Sequence, residues 1–281
     1  MPELPEVQTV VTTLRPKVEG RRIVALVSVR RDIVTPAGVN LAGRLAGRTV
    51  RSVDRRGKRI VFTLDDGNRF YIHLGMTGQV TVVRPGTPLP THTHLELDLG
   101  GDRLRLRDPR RFGGVWWLGR EPADVGMGPE PLGLRPAGLL ARLKRTTRAV
   151  KNALLDQRVV AGLGNIYVDE ALHAAGIHPL TPANRMDADA VGRLSRAIKA
   201  TLRRAIRHRG STLRDYLDAD GEAGGFQRLH RVYDRAGQPC HQCRVPIERI
   251  VLGGRSTHFC PACQRRVNSP EKAVSRRPRR A

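Results

Sequence analysis

Ile60-Val61-Phe62-Thr63-Leu64-Asp65-Asp66-Gly67-Asn68-Arg69-Phe70-Tyr71-Ile72-His73-Leu74 reads as two short strands around a tight turn. Ile60, Phe62 and Leu64 alternate with smaller or polar residues, as do Phe70, Ile72 and Leu74, which is the period of a half-buried strand. Asp65-Asp66-Gly67-Asn68 supplies the residue types of a hairpin turn. Downstream, Leu95, Leu97 and Leu99 alternate with Glu96 and Asp98, and Leu104 and Leu106 alternate with arginines after a Gly100-Gly101-Asp102 turn. Arg22–Val29 and Thr49–Val53 read as further strands. Short strands between frequent turns predict an antiparallel β-sandwich. It runs to about residue 130, where Gly-Pro-Glu-Pro-Leu-Gly marks a break.

From Pro136 the period becomes helical. Val191, Leu194, Ile198, Leu202 and Ile206 form one apolar face, with Arg193, Arg196, Lys199 and Arg203 elsewhere on that helix. Gly210 is a C-cap candidate. Gly221–Gly225 reads as a flexible loop, and a cysteine-bearing ribbon follows from about Phe226. The fold class is therefore α+β and multidomain: a sandwich domain with a leading helix over 1–130, a helical domain over 131–225, a ribbon over 226–267, and a basic, disordered tail over 268–281.

Lys and Arg number 50 against 26 for Asp and Glu, so the formal charge is 50 − 26 = +24. A surplus of that size points to a polyphosphate partner. The excess of Arg over Lys suits forked contacts to phosphates and base edges, although a GC-rich genome gives the same bias. There is no long apolar run and no charged-then-apolar leader, which argues against a membrane partner and for a cytoplasmic location. All four cysteines lie between 240 and 263, which in a cytoplasmic chain favours a metal over two disulfides. Cys240-x2-Cys243, sixteen residues, then Cys260-x2-Cys263 fits a four-thiolate zinc ribbon. Such a zinc is structural, because four thiolates leave no open position.

The N-terminus, Met1-Pro2-Glu3-Leu4-Pro5-Glu6, admits two readings. Prolines often start a helix, and Val7, Val10, Val11 and Leu14 recur at helical spacing behind them. Alternatively, removal of Met1 would leave Pro2 as a free secondary amine, able to attack an electrophilic sugar carbon and form an iminium. Glu3 beside it is the residue type that moves protons. The dipole at the helix start would favour the uncharged amine.

MPELPEV, HLGMTG, DPRRFGG, AGLGNIYVDEAL and the CxxC…CxxC ribbon occur in an order that resembles bacterial formamidopyrimidine-DNA glycosylase over nearly the whole chain. The resemblance implies a bifunctional DNA glycosylase and AP lyase, a monomer acting on double-stranded DNA that contains oxidised purines. It implies that Pro2 is the nucleophile, with Glu3 assisting ring opening, and that Lys58 neutralises the lesion's phosphate. Arg255 would grip the flanking phosphates and assist elimination. Met76 and Phe112 would fill the gap left by an everted base, with Arg110 facing the orphaned cytosine. His92 would touch the DNA backbone, and Lys151 and Asn165 would clamp phosphates.

Read by themselves, Lys58 is only part of a basic turn, Met76 and Phe112 suit a core, and His92 suits a structural role. Lys151 and Gly162-Leu163-Gly164-Asn165 also suit a plain helical hairpin, with Asn165 as N-cap. Arg244 stands where the family has glycine, so a left-handed turn there would be strained. Two rivals remain: a glycosylase of the endonuclease VIII type for oxidised pyrimidines, and a non-catalytic zinc-ribbon DNA-binding protein.

Overall fold

A helix, α1 (Leu4–Val18), leads into β1 (Ala25–Val29), β2 (Val34–Thr35), a short helix α2 (Leu41–Leu45), and β3 (Val50–Arg56). Then come β4 (Arg59–Leu64), β5 (Arg69–His73), β6 (Gln79–Val83), β7 (Thr93–Asp98), β8 (Arg103–Arg107) and β9 (Gly114–Gly119). This is a computed structural model, and it describes residues 2–266. Met1 and the expected tail at 268–281 lie outside the described residues.

The strands form two sheets, ordered β1-β7-β8-β6 and β2-β9-β5-β4-β3. Every pairing is antiparallel except β2 with β9. The expected hairpin is there, with Ile60 opposite Ile72 and Phe62 opposite Phe70. The two phenyl rings stack at 4.6 Å between centroids. Ile60, Phe62, Leu64, Phe70 and Ile72 share one core with Leu95, Leu97, Leu104 and Leu106 from the opposing sheet.

Two expectations change. Arg22–Val29 shortens to β1 from Ala25, and Arg22 meets Thr49 only in an isolated bridge. The polar residues that alternate with leucines in β7 and β8 are not all exposed, as half-buried strands would have them. Arg105 and Glu96 are buried, with Arg105 Nε donating to Glu96 Oε2 at 2.6 Å. The remaining guanidinium nitrogens donate to the carbonyls of Pro88 and Thr87 at 2.9 and 3.0 Å. That loop covers the second face, so the buried charge is paired and hydrogen-bonded, as burial requires.

The helical part consists of α3 (Pro136–Leu143), α4 (Val150–Leu155), α5 (Asn165–Ala175) and α6 (Ala188–Arg207). Val191, Leu194, Ile198 and Leu202 are buried as their spacing predicts, and Asp187 caps α6 by accepting from Ala190 N at 2.7 Å. The helix closes through Gly210, left-handed at φ +77, whose N–H reaches Ala205 O at 2.9 Å.

The two halves interlock at α1. Val7, Val10, Val11, Leu14 and Val18 belong to the sandwich core, whereas Leu4 belongs to the helical core. Leu4 N also donates to Gly162 O at 3.0 Å. In return, Tyr216 and Ala219, from beyond α6, cross into the sandwich core. The start of α1 is thereby fixed at the seam between the halves.

The ribbon begins later than Phe226. Phe226 is buried in the helical core, 5.8 Å from the Tyr167 ring. The ribbon's own small core is Val232, Cys240, Ile247 and Cys260. Its hairpin is β10 (Glu248–Leu252) and β11 (Arg255–Phe259), turning through Gly253 and Gly254. No helix among the described residues is long and apolar enough to cross a membrane.

Candidate active site

Glu3 caps α1 and meets the first turn of α5. Its carboxylate accepts from Ile166 N at 2.9 Å and Tyr167 N at 3.4 Å, where the helix presents unsatisfied N–H groups. Burial pushes its pKa up to about 7, against the opposing charge of Lys58 and those two N–H groups, and with further help from Glu6. A carboxyl that changes charge near neutral pH can both give and take a proton.

Gly164 has to be glycine here, because a Cβ would overlap the Glu3 carboxylate. Gly164→Ala is expected to displace that group and to lower the excision rate implied by the resemblance about 100-fold, the cost of a misplaced proton-transfer group. Single-turnover rates check this; a rate within twofold of the parent's would contradict it.

Beneath Glu3 lies a second buried carboxyl that sequence reasoning missed. Glu6 accepts from Glu3 N at 2.8 Å, Ser211 N at 2.7 Å and the Tyr167 hydroxyl. Burial raises its pKa, opposed by these donors. Gly210 makes room for it: a Cβ there would sit 2.6 Å from Glu6 Oε1. Glu3 N is a local, capping-box partner, but Tyr167 and Ser211 lie 161 and 205 residues away in the chain, so no local pattern could reveal them.

Lys58 sits in the turn between β3 and β4, and its neighbours are otherwise engaged. Arg55 and Arg56 pair with Glu130 at 2.6 and 3.0 Å, and Gly57 N donates to the same carboxylate at 2.7 Å. Lys58 itself is buried. Burial lowers its pKa, opposed by the charges of Glu3 and Glu6, while Arg255 lowers it further. The ribbon therefore brings the exposed Arg255, at the start of β11, within electrostatic reach of Lys58.

Pro2 lines a cleft of about 360 Å³ together with Met76, Thr77, Arg110, Ile166, Ser211, Tyr216 and Tyr233. Met76 is 40% exposed and Phe112 55%, so neither is a core residue. The Arg110 guanidinium lies 4.7 Å from the Phe112 ring centroid. Both project from a turn built by Asp108, which was not foreseen. Its carboxylate accepts from the Thr77 hydroxyl, from Arg110 N at 3.3 Å and from Gly113 N at 2.8 Å. Gly75 lets the Met76 turn pack on this one, since a Cβ there would strike the Phe112 and Gly113 backbone.

His92 and His94 diverge: His94 is buried with Nε2 at 2.9 Å from Asp108 O, whereas His92 is exposed in a left-handed conformation at φ 66.

Lys151 requires a correction. The resemblance makes it a phosphate clamp, but its side chain is fully buried, 2.7 Å from Asp169 Oδ1, and it donates to Ser256 O at 2.9 Å. Asn165 Nδ2 donates to the same carbonyl at 2.9 Å. Gly164, not Asn165, is the N-cap of α5. Lys151 thus ties the hairpin carrying Arg255 to the helical domain, because an ammonium this deep needs a partner.

The four cysteine sulfurs lie within 4.8 Å of one another, with Cys240–Cys263 at 4.0 Å and Cys243–Cys260 at 3.4 Å. Tetrahedral zinc–thiolate bonds of about 2.3 Å place sulfurs about 3.8 Å apart, so the set fits zinc. Backbone N–H groups of Gln242 and Cys263 point at Cys240 and Cys260 sulfurs at 3.4 Å each, as metal-bound thiolates favour.

Arg244 adopts φ 68, the conformation anticipated as strained. Arg244→Gly is expected to stabilise the ribbon by about 1 kcal/mol, read as a higher chelator concentration at the midpoint of zinc loss. An unchanged midpoint would contradict this.

Three family models cover the chain in order. They describe the formamidopyrimidine-DNA glycosylase N-terminal domain at residues 1–115, the formamidopyrimidine-DNA glycosylase H2TH domain at 127–216, and a zinc finger found in FPG and IleRS at 237–266. The chain is 43% identical over 278 residues to a formamidopyrimidine-DNA glycosylase of Chloroflexus aurantiacus, spanning 96% of this chain and 100% of that one. It is 46% identical to that of Burkholderia lata, spanning 94% and 100%. Among solved structures it resembles Lactococcus lactis Fpg in complex with DNA containing an abasic site, with TM-score 0.87, 34% identity, and coverage of 94% and 100%. It also resembles the MutM (Fpg) protein of Thermus thermophilus, with TM-score 0.85, 41% identity, and coverage of 94% and 98%.

A sandwich, a helix–two-turn–helix domain and a zinc ribbon around one cleft define a DNA glycosylase of base excision repair. The chain belongs to the formamidopyrimidine-DNA glycosylase family, and its ribbon holds one structural zinc ion.

Proposed function

We propose that this enzyme excises oxidised purines, 8-oxoguanine and formamidopyrimidines, from duplex DNA and then cleaves the strand as an AP lyase. One observation carries the reading: Pro2 lines one cleft of about 360 Å³ with the exposed Met76 and Arg110, next to a buried acid that titrates near neutrality.

With Met1 removed, the uncharged Pro2 nitrogen attacks the sugar C1′, the bond to the base breaks, and the proton shed by the nitrogen goes to the departing base. The proton held by Glu3 goes to the ring oxygen, the ring opens, and the nitrogen lone pair forms the C1′ iminium. Loss of the 3′ and then the 5′ phosphate leaves a one-nucleotide gap.

Eversion of the base costs a few kcal/mol of stacking and pairing. Met76 and Phe112 offset this by wedging into the vacated step, with Arg110 pairing to the orphaned cytosine. Lys58, Arg255, His92 and Asn165 bind phosphates around the site, and Lys151 acts on them only through the ribbon it anchors. The enzyme works as a monomer in the cytoplasm.

Excision rates on duplexes with 8-oxoguanine opposite cytosine and with thymine glycol test the substrate class. The purine lesion is expected to be released faster. Faster release of thymine glycol would favour the endonuclease VIII type, and DNA binding with no release of either would favour the non-catalytic reading.

A further inference from the structure

At the C-terminal half of α5, two cavities of about 590 and 540 Å³ adjoin, sharing Ala174, Arg204, Leu229 and Arg231. They share no lining residue with the cleft at Pro2. Together they make a groove between α6 and the segment leading to the ribbon.

Arg193, Arg196, Arg204, Arg207, Arg228 and Arg231 line the groove. None of the six has a carboxylate partner or side-chain hydrogen bond among the described residues. Elsewhere several arginines do pair with carboxylates, as at Arg15, Arg55, Arg105 and Arg209. The one acid in the groove, Glu170, has both oxygens occupied by the backbone N–H groups of Arg231, Val232 and Tyr233. Gathering six unpaired guanidinium groups is unfavourable unless an anion joins them.

We propose that this groove binds an acidic peptide segment of a partner protein. Clustered guanidinium forks are the usual recognition element for acidic motifs, and they match carboxylates in pairs. Arg193 to Arg207 spans about 21 Å along α6, enough for roughly six extended residues. The floor is small and apolar, with Ala174, Ala197, Ala200 and half-buried Leu229, which suits an apolar side chain between acids. It offers no run of exposed aromatic rings: Phe226, His173 and His230 are buried, and His241 is the one exposed ring among its lining residues. A single nucleic-acid strand would need such a stacking platform. The inference does not depend on which lesion the enzyme excises.

The test uses the full-length enzyme already loaded with an uncleaved duplex carrying a tetrahydrofuran abasic analogue, which occupies the lesion cleft. Fluorescence anisotropy then follows a fluorescein-labelled peptide of three Asp-Asp-Leu repeats, the same peptide with Asn for Asp, and labelled (dT)9, at about 0.1 M salt. The acidic peptide is expected to bind at least about tenfold tighter than either control.

R204E/R231E should weaken that binding about tenfold or more while leaving excision unchanged, and R196A/R204A should weaken it if the reversal misfolds. R84E/R120E, an equal charge change on the sandwich, should not. Tighter binding of (dT)9, equal loss in R84E/R120E, or no preference for Asp over Asn would each overturn the proposal.

Discussion

Glu3→Gln is expected to slow excision by about 1,000-fold and, at pH 8, to make the protein more stable. The two effects have one cause. Burial holds the Glu3 pKa at about 7, well above its ordinary 4.5. The folded state therefore binds the proton more tightly than the unfolded state. Its contribution to stability is complete below pH 4.5 and is lost as pH rises through about 7, leaving a penalty on the order of 3 kcal/mol at pH 8.

Glutamine never carries that charge. It recovers only part of the penalty, about 1–2 kcal/mol, because its amide nitrogen is a donor and one of the Ile166 and Tyr167 N–H groups loses its acceptor. At pH 5 the parent carries its proton, so the two proteins should melt within a degree or two of each other. At pH 8 the variant should melt several degrees higher. Equal melting at both values, or unchanged excision, would contradict a proton-holding role for this carboxyl.

Pro2→Gly is expected to lose at least about 100-fold in excision while DNA affinity stays within a few-fold. Glycine still offers an amine, but without the ring it is free to leave the attack geometry. The pyrrolidine is buried at the start of α1 and fixed by the neighbouring seam contacts Leu4 N to Gly162 O and Glu3 N to Glu6. Tight binding depends on groups spread over both halves, so it should survive the change. Weakened binding in proportion to the lost rate would make Pro2 a structural residue only.

Much of the fold was legible because it rests on short-range periodicity. The alternation at Ile60–Leu74 fixed a hairpin, the spacing Val7, Val10, Val11, Leu14 fixed the buried face of α1, and the cysteine spacing fixed the metal ribbon. What stayed hidden involves side chains meeting across the chain.

Lys151 looks like any surface lysine until Asp169 and the Ser256 carbonyl close over it. The burial of Arg105 and Glu96 does not follow from the alternation in β7 and β8, because the covering loop at Thr87 and Pro88 carries no signal of its position. Phe226 followed a glycine-rich loop and was assigned to the ribbon, yet it fills the helical core. In the candidate site, the terminus and the resemblance point to Pro2 and Glu3 but not to Glu6, Asp108 or Ser211. Their roles come from hydrogen bonds to backbone N–H groups and hydroxyls, which no residue type announces.

The direct test is borohydride reduction of the enzyme on a duplex containing 8-oxoguanine, followed by proteolysis and mass mapping of the cross-linked peptide. The prediction is one adduct, on the nitrogen of a chain that begins at Pro2. An adduct on a lysine such as Lys58, or full excision by protein that keeps Met1 or an acylated first nitrogen, would contradict it.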